Sequence, residues 1–187
     1  MGPAAMTVWP YPAPEDDGGA RHLVSGLAMP DIALASTRGE PSSLAQIAGL
    51  VVIYIYPWTG GAGLSNPPSW DDIPGAHGST PETEGFRDLH PEFRRLGVQV
   101  FGLSTQSTAH QAELASRLGV PFAFLSDEGF ALKRALELPV FSTGGVVYLK
   151  RLTLVLDQGR IRHTFYPVYP PDRHAQDVLA WLRRDTG

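Results

Sequence analysis

The chain has 187 residues, 43% of them apolar, and a formal net charge of -4 at pH 7. This length suits one domain with a core of its own. The mild acidity, without any run of Lys or Arg, argues against nucleic-acid binding and against a membrane surface. The longest apolar run, residues 50–56, is too short to cross a bilayer. The sequence has no cysteine, which excludes disulfides and thiolate metal sites.

The first twenty residues are rich in Pro, Gly and Ala and show no periodicity. They predict an N-terminal arm over residues 1–20 that is either flexible or laid on the surface. No Lys or Arg precedes Arg21, so no signal peptide is expected and we expect a cytoplasmic protein. Residues 21–187 are expected to form a single domain.

Short apolar runs predict the strands. The runs are 32–36, 50–56, 98–103 and 122–125. Residues 50–56 are apolar on both faces, as in a central strand. A hairpin is predicted from 146–156 and 161–166, because the turn sequence Asp157-Gln158-Gly159 separates them.

Helical spacing of apolar residues predicts helices between these strands. One covers 86–96 and is expected to kink at Pro91. Another begins at the cap Ser107, ends at Gly119 and is expected to bury one stripe. The members of that stripe are Ala109, Ala112, Ala115 and Leu118. A short helix after Asp127 and a final helix from about residue 172 complete an α/β layout of thioredoxin type, with a central mixed sheet flanked by helices.

Ser79 allows two interpretations. The spacing Ser79-x-x-Glu82 matches a capping box, and Pro81 is tolerated in a first turn, so Ser79 or Thr80 would simply start a helix. Alternatively, a helix N-terminus stabilises an anion and activates a nucleophile placed there. A serine gains little from this, because an alkoxide forms too far from neutral pH.

The segment 79–88, STPETEGFRD, resembles the pattern Cys-Thr-x-Glu-x-Cys-Gly-Phe-Arg-Asp of the peroxiredoxin Q (bacterioferritin comigratory protein) group of peroxiredoxins. Further matches follow in order between about residues 25 and 182. They are Tyr56-Pro57, 100–104, 118–122, 125–127, and 151–157 with Gly159. Each match alone is weak, and the ordered set is strong.

This resemblance implies a thioredoxin-like fold and a thiol-dependent peroxidase of antioxidant defence and cell redox homeostasis. Such an enzyme reduces hydrogen peroxide and organic hydroperoxides with electrons from thioredoxin or another thiol. No cofactor, metal, nucleic acid or membrane partner is implied, and a monomer is expected. The six histidines show no paired ligand spacing either.

The resemblance also assigns roles to residues. Ser79 falls on the peroxidatic cysteine and Glu84 on the resolving cysteine, and Arg151 is the candidate active-site guanidinium. The remaining site residues it implies are Thr80 beside Ser79, and Pro57 and Gly78 in the substrate pocket. Without the resemblance, Arg151 would be an exposed charge at a strand start.

Three departures from the family pattern bear on activity. With serine in place of the peroxidatic cysteine, we expect the chain to be inactive as a peroxidase. With Glu84, no disulfide to position 79 could form even if cysteine were restored, so an external thiol would be needed. Ala76 stands where the family commonly has a threonine, and Thr80 or Thr59 would have to supply that hydroxyl. The nearby His77 is expected to be a solvated loop residue.

A binding module and a hydrolase remain as alternative functions. Serine at position 79 is either an introduced replacement or the native residue of a cysteine-free binding module that holds a ligand or partner in the old pocket. A hydrolase using Ser79 would require a histidine and an acid to converge on it.

Overall fold

The structure, a computed structural model, describes residues 8–186. The strands are β1 Ala35–Ser36, β2 Leu50–Ile55, β3 Val98–Ser104, β4 Phe124–Ser126, β5 Val140–Thr143, β6 Val146–Leu149, β7 Leu152–Asp157 and β8 Arg160–Phe165. The helices are α1 Ser79–Arg95, α2 Thr108–Leu118, α3 Ala131–Leu136 and α4 His174–Asp185, with 3-10 turns at Trp70–Asp72 and Pro171–Arg173. No helix within residues 8–186 is long and apolar enough to span a bilayer.

Six strands form one mixed sheet in the order β1-β4-β3-β2-β7-β8. Strands β2, β3 and β4 run parallel, whereas β7 pairs antiparallel with β2 and β8, and β1 antiparallel with β4. The central strand β2 is buried on both faces, as its unbroken apolar run predicts. Its alternate residues enter two separate cores: one lies against α3, and the other lies against α1, α2 and α4.

The predicted stripe on α2 is wrong for two of its four members, whereas Ala115 and Leu118 are partly buried and pack against the core. Ala109 and Ala112 are exposed, and the residues that α2 buries fully are Gln111 and Leu114. The Gln111 amide donates to Ser104 Oγ over 3.0 Å and to a carbonyl oxygen of β4 over 2.9 Å. An apolar pattern treats glutamine as a surface residue, and therefore it misses a side chain whose burial is offset by hydrogen bonds. The predicted cap is confirmed, since Ser107 Oγ accepts from His110 N over 3.2 Å.

The predicted continuous strand over 146–156 is also wrong. It is broken between Leu149 and Leu152, because β6 pairs with β5 in a separate two-stranded sheet while β7 joins the main sheet. Strand β5 has no counterpart in the predictions. At the break, Lys150 N donates to Pro139 O over 2.8 Å and Arg151 turns into the interior. The local mark of the break is Lys150-Arg151 within a largely apolar run, and the tertiary contacts of these two residues determine where the chain leaves one sheet for the other.

Residues 8–20 of the predicted arm contact the body of the protein, and residues 1–7 lie outside the described part. The backbone of Pro12 accepts a hydrogen bond from Gly75 N over 3.3 Å. Further along, the Asp17 carboxylate accepts from Lys150 Nζ over 2.7 Å and from Tyr166 Oη over 2.6 Å. The arm is thereby attached to the segment that leads into α1 and to the β6–β7 junction.

Candidate active site

Ser79 is the first residue of α1, and Gly78 is its N-cap with a φ of 116°. A Cβ at position 78 would lie 2.8 Å from Pro171 Cβ and 2.9 Å from Trp9 Cζ2, so only glycine fits. Ser79 is 3% exposed. Its hydroxyl has no hydrogen-bond partner within residues 8–186. A buried polar atom at a helix N-terminus is thus left free to meet a ligand.

The capping-box interpretation of Ser79 and Glu82 is wrong. The cap position belongs to Gly78, and the Glu82 backbone N–H donates to Gly78 O over 2.9 Å. The Glu82 carboxylate is fully buried and lies 2.9 Å from Arg151 Nη1. The capping pattern fails because it considers only neighbours in sequence, whereas the partner of Glu82 lies 69 residues away.

Arg151 holds the backbone that leads into Ser79. Its side chain is 2% exposed, so it is not the surface charge that sequence alone suggested. Its Nη2 donates to the carbonyl oxygens of Gly75, Ala76 and His77 over 3.3, 3.0 and 3.2 Å. The guanidinium therefore joins the β6–β7 junction to both sides of the Ser79 position.

Burial controls the charges behind Ser79. It raises the pKa of Glu82 to about 7, although the charge and hydrogen bond of Arg151 act in the opposite direction. His174, whose Nε2 lies 2.7 Å from Thr153 Oγ1, is buried as well. Burial, and then the charge of Arg151, lower the pKa of His174 to about 3. His174 is therefore neutral at physiological pH and leaves Arg151 as the cation of this region.

A cavity of about 140 Å³ opens at Ser79. It is lined by Trp58, Thr59, Gly60, Asn66, Trp70, His77, Gly78, Ser79, Thr80 and Pro81. Two of the three residues predicted to accompany Ser79 here, Gly78 and Thr80, line it. The third, Pro57, is buried beside the lining residue Trp58 in sequence and is not among the lining residues. Sequence reasoning missed the two tryptophans, and the only signal was their place in the long 58–78 loop.

The sequence predicted that Thr59 or Thr80 supplies the hydroxyl that Ala76 lacks. The two threonines differ in what their side chains contact. Ala76 is buried and brings no hydroxyl. Thr59 Oγ1 already lies 3.1 Å from both Gln106 Oε1 and His110 Nε2. Thr80 lines the cavity and is the threonine whose hydroxyl is not engaged in this network.

His77 is not a solvated loop histidine. Its ring stacks on Tyr11 of the arm with 3.7 Å between centroids, and its Nε2 pairs with Asp71. His77 lines the cavity and has an acid, Asp71, as its partner, which is part of what the hydrolase hypothesis requires. However, within residues 8–186 the Ser79 hydroxyl accepts no hydrogen bond from His77, and the His77 Nε2 is taken by Asp71. No general base is therefore in place on Ser79.

Glu84 lies on the outer side of α1. Its side chain is 43% exposed and pairs with Arg87 over 3.7 Å. The peroxiredoxin Q group has a resolving cysteine at this position. Here the position holds a carboxylate that faces solvent, and a carboxylate cannot take part in disulfide exchange.

A family model described as Redoxin matches residues 25–179. The chain belongs to this family. Peroxiredoxin Q of Arabidopsis thaliana, a chloroplastic protein, is 29% identical over 160 residues, which cover 84% of the chain and 66% of that protein. That of Sedum lineare, also chloroplastic, is 28% identical, with 86% and 78% covered. The chain thus spans about two thirds of the length of the Arabidopsis relative.

Solved structures agree with the predicted group. Peroxiredoxin Q of Xanthomonas campestris is 26% identical, covers 87% of the chain and 99% of its own, and superposes with a TM-score of 0.67. The peroxidoxin BcpB of Mycobacterium tuberculosis gives the same identity and TM-score, with 87% and 98% covered. The predicted membership of the peroxiredoxin Q group and the predicted thioredoxin-like α/β fold are confirmed.

Proposed function

We propose that this chain carries the scaffold of a thiol-dependent peroxidase, with Ser79 at the peroxidatic position, and that it does not itself reduce peroxides. One observation carries the proposal. The Ser79 hydroxyl is buried at the start of α1 without a hydrogen-bond partner among residues 8–186, and it lies two residues after the last of the three carbonyl oxygens that Arg151 binds. In a peroxidase, a sulfur would occupy this place.

The chemistry proposed for a sulfur there is simple. A thiolate attacks one oxygen of the peroxide and the O–O bond breaks. The sulfur becomes a sulfenic acid, and the second oxygen leaves as an alkoxide or hydroxide that takes up a proton. The free N–H groups at the start of α1 favour the thiolate and the developing oxyanion, and the cationic Arg151 adds to this. Ser79 offers neither a thiolate nor an oxidisable atom, so the cycle cannot begin.

The reductant, the oligomeric state, the compartment and the substrates complete the proposal. Since Glu84 cannot resolve a sulfenic acid, a restored enzyme would depend on an external thiol, thioredoxin or a small dithiol. We propose a monomer that acts in the cytoplasm, and hydrogen peroxide and organic hydroperoxides as the substrates of the restored form. The plant relatives are named as chloroplastic proteins, so the compartment needs a test of its own, by localising the tagged protein in its native cell.

The test is peroxide consumption by the Ser79→Cys variant beside the unchanged chain, with excess dithiothreitol or thioredoxin. Ser107→Cys is the matched control, because Ser107 also lies at a helix N-terminus but caps α2 instead. We expect turnover from Ser79→Cys alone. Equal activity from both variants would mean that any thiol suffices, and inactivity of both would remove the proposal.

A second candidate is the cysteine-free binding module. It is favoured by Arg151, because both terminal nitrogens already bind protein groups, and by Ala76, which brings no hydroxyl to the site. Sequencing the native gene separates the two candidates. A cysteine codon at position 79 would remove the support for a binding module, whereas a serine codon would favour it.

A further inference from the structure

A second and larger cavity, of about 460 Å³, lies between the arm and the body of the protein. Residues 13–15 and Asp17 line it from the arm, and Phe141, Tyr166 and Pro167 are among the lining residues of the body. Its volume falls within the range of sites that hold small organic molecules. Neither Ser79 nor Thr80 lines it, so it is separate from the cavity at the start of α1.

The arm side of this cavity is held in place by several contacts. Asp17 accepts from Lys150 Nζ over 2.7 Å, from Tyr166 Oη over 2.6 Å and from Gly19 N over 2.9 Å. The hydrogen bonds from Lys150, Tyr166 and Gly19, with a smaller contribution from the Lys150 charge, keep the pKa of Asp17 well below its usual range, so the Asp17 contact persists at any physiological pH. At the other end, Tyr11 stacks on His77. The cavity is therefore bounded by ordered chain on both sides.

The charges around the cavity leave one carboxylate unmatched. Lys150 is paired with Asp17, and Arg151, which also lines the cavity, is paired with Glu82. Glu15 also lines the cavity and has no ion-pair or hydrogen-bond partner within residues 8–186. A carboxylate ligand would have to displace Asp17 from Lys150, whereas a cation would find Glu15 free. Two aromatic residues, Phe141 and Tyr166, are also part of the lining, and the face of an aromatic ring attracts a cation.

We propose that this cavity binds a small organic cation, an ammonium group on an apolar body. The ammonium group would lie at Glu15, and the apolar part would contact Phe141, Tyr166 and the prolines of the lining. Arg151 belongs both to the wall of this cavity and to the region of Ser79, but the proposed binding requires no peroxide chemistry at Ser79.

Calorimetric titration of the full chain with 2-phenylethylammonium tests the proposal, and 3-phenylpropionate serves as a probe of similar shape and opposite charge. We expect binding of the ammonium and none of the carboxylate. Glu15→Gln should weaken binding about two- to fivefold, as expected for a partly exposed ion pair, and the loss should shrink at high salt. Phe141→Leu, which removes one aromatic face, should weaken it as well.

Glu128→Gln is the matched control, because Glu128 is also exposed and lies outside the cavity lining. It should leave the affinity unchanged. Ser79→Cys should also leave it unchanged, so failure of the peroxidase proposal and failure of this one are distinguishable. Absence of ammonium binding, equal binding of the carboxylate, or equal weakening by Glu128→Gln would overturn the proposal. Glu15 has no partner to lose among the residues that the structure describes, and thermal unfolding of Glu15→Gln checks that the variant is folded.

Discussion

Arg151 Nη1 lies 2.9 Å from Glu82 Oε1, in an ion pair whose side chains are 2% and 0% exposed. Glu82 lies one turn after Ser79, and Arg151 also binds the carbonyl oxygens that precede it. The pair therefore fixes the start of α1 from both sides. A buried pair contributes modestly when intact, because desolvation offsets its attraction, but removing one member leaves the other groups without partners.

Replacing Arg151 should therefore destabilise the fold strongly. Arg151→Met leaves Glu82 and three backbone carbonyl oxygens without their donor, and we expect a loss of about 3–5 kcal/mol in the free energy of unfolding. Lys150→Met is the matched control, because Lys150 is the neighbouring cation but is partly exposed in its pair with Asp17. Its loss should stay within about 1 kcal/mol. Urea unfolding measures both, and similar losses would contradict the structural role given to Arg151.

Gly78 should not tolerate a side chain. Its φ of 116° is unfavourable for any other residue, and a Cβ would press on Pro171 and Trp9. Gly78→Ala should lower the free energy of unfolding by more than about 2 kcal/mol. Gly97→Ala separates the two causes, because Gly97 has a φ of 72° but nothing within 4 Å of its would-be Cβ. That variant should lose only about 1 kcal/mol. Equal losses in urea would show that the contacts with Pro171 and Trp9 do not matter.

Acid should destabilise the protein through His174. Burial lowers its pKa to about 3, whereas an unfolded histidine titrates near 6.5, so between these values the unfolded state binds more protons. This contribution is complete above pH 6.5 and is lost as the pH falls. His174→Gln can still hydrogen-bond Thr153 but does not titrate. From pH 6 to pH 4.5 the unfolding free energy of the unchanged chain should fall by about 2 kcal/mol more than that of the variant. Parallel pH curves would show that His174 is not buried in neutral form.

The sequence predicted the parts of this protein that depend on local patterns. The buried run of β2, the Ser107 cap and the final helix, α4, all follow from periodicity or capping, because one segment contains all the necessary information. The ordered set of short motifs then identified the group. Local patterns also placed Ser79 at the start of a helix, although they assigned its cap to the wrong residue.

What the sequence could not supply depends on distant partners. Glu82 matched a capping box because its true partner, Arg151, is remote in sequence. The predicted stripe of α2 left out Gln111 because β3 and β4 supply the acceptors for its hydrogen bonds. Likewise, nothing in a Pro-rich arm predicts that Tyr11 stacks on His77. Buried polar groups are placed by the partners that satisfy them, and those partners appear only once the chain is folded.

A thiol placed at position 79 should be acidic. Two effects oppose each other there: burial of Ser79 would raise a thiol pKa, whereas the helix N-terminus and the nearby Arg151 would lower it. Since Arg151 is a full charge held beside the first turn, we expect the lowering effects to dominate, with a thiol pKa in Ser79→Cys below the value of about 8.5 for a free cysteine. Thiolate absorbance during a pH titration measures this value, and the rate of alkylation checks it independently.

Ser107→Cys, at a helix N-terminus without the arginine, should titrate at higher pH. A pKa at or above 8.5 in Ser79→Cys would mean that burial prevails, and that the site could not sustain a thiolate even with its sulfur restored.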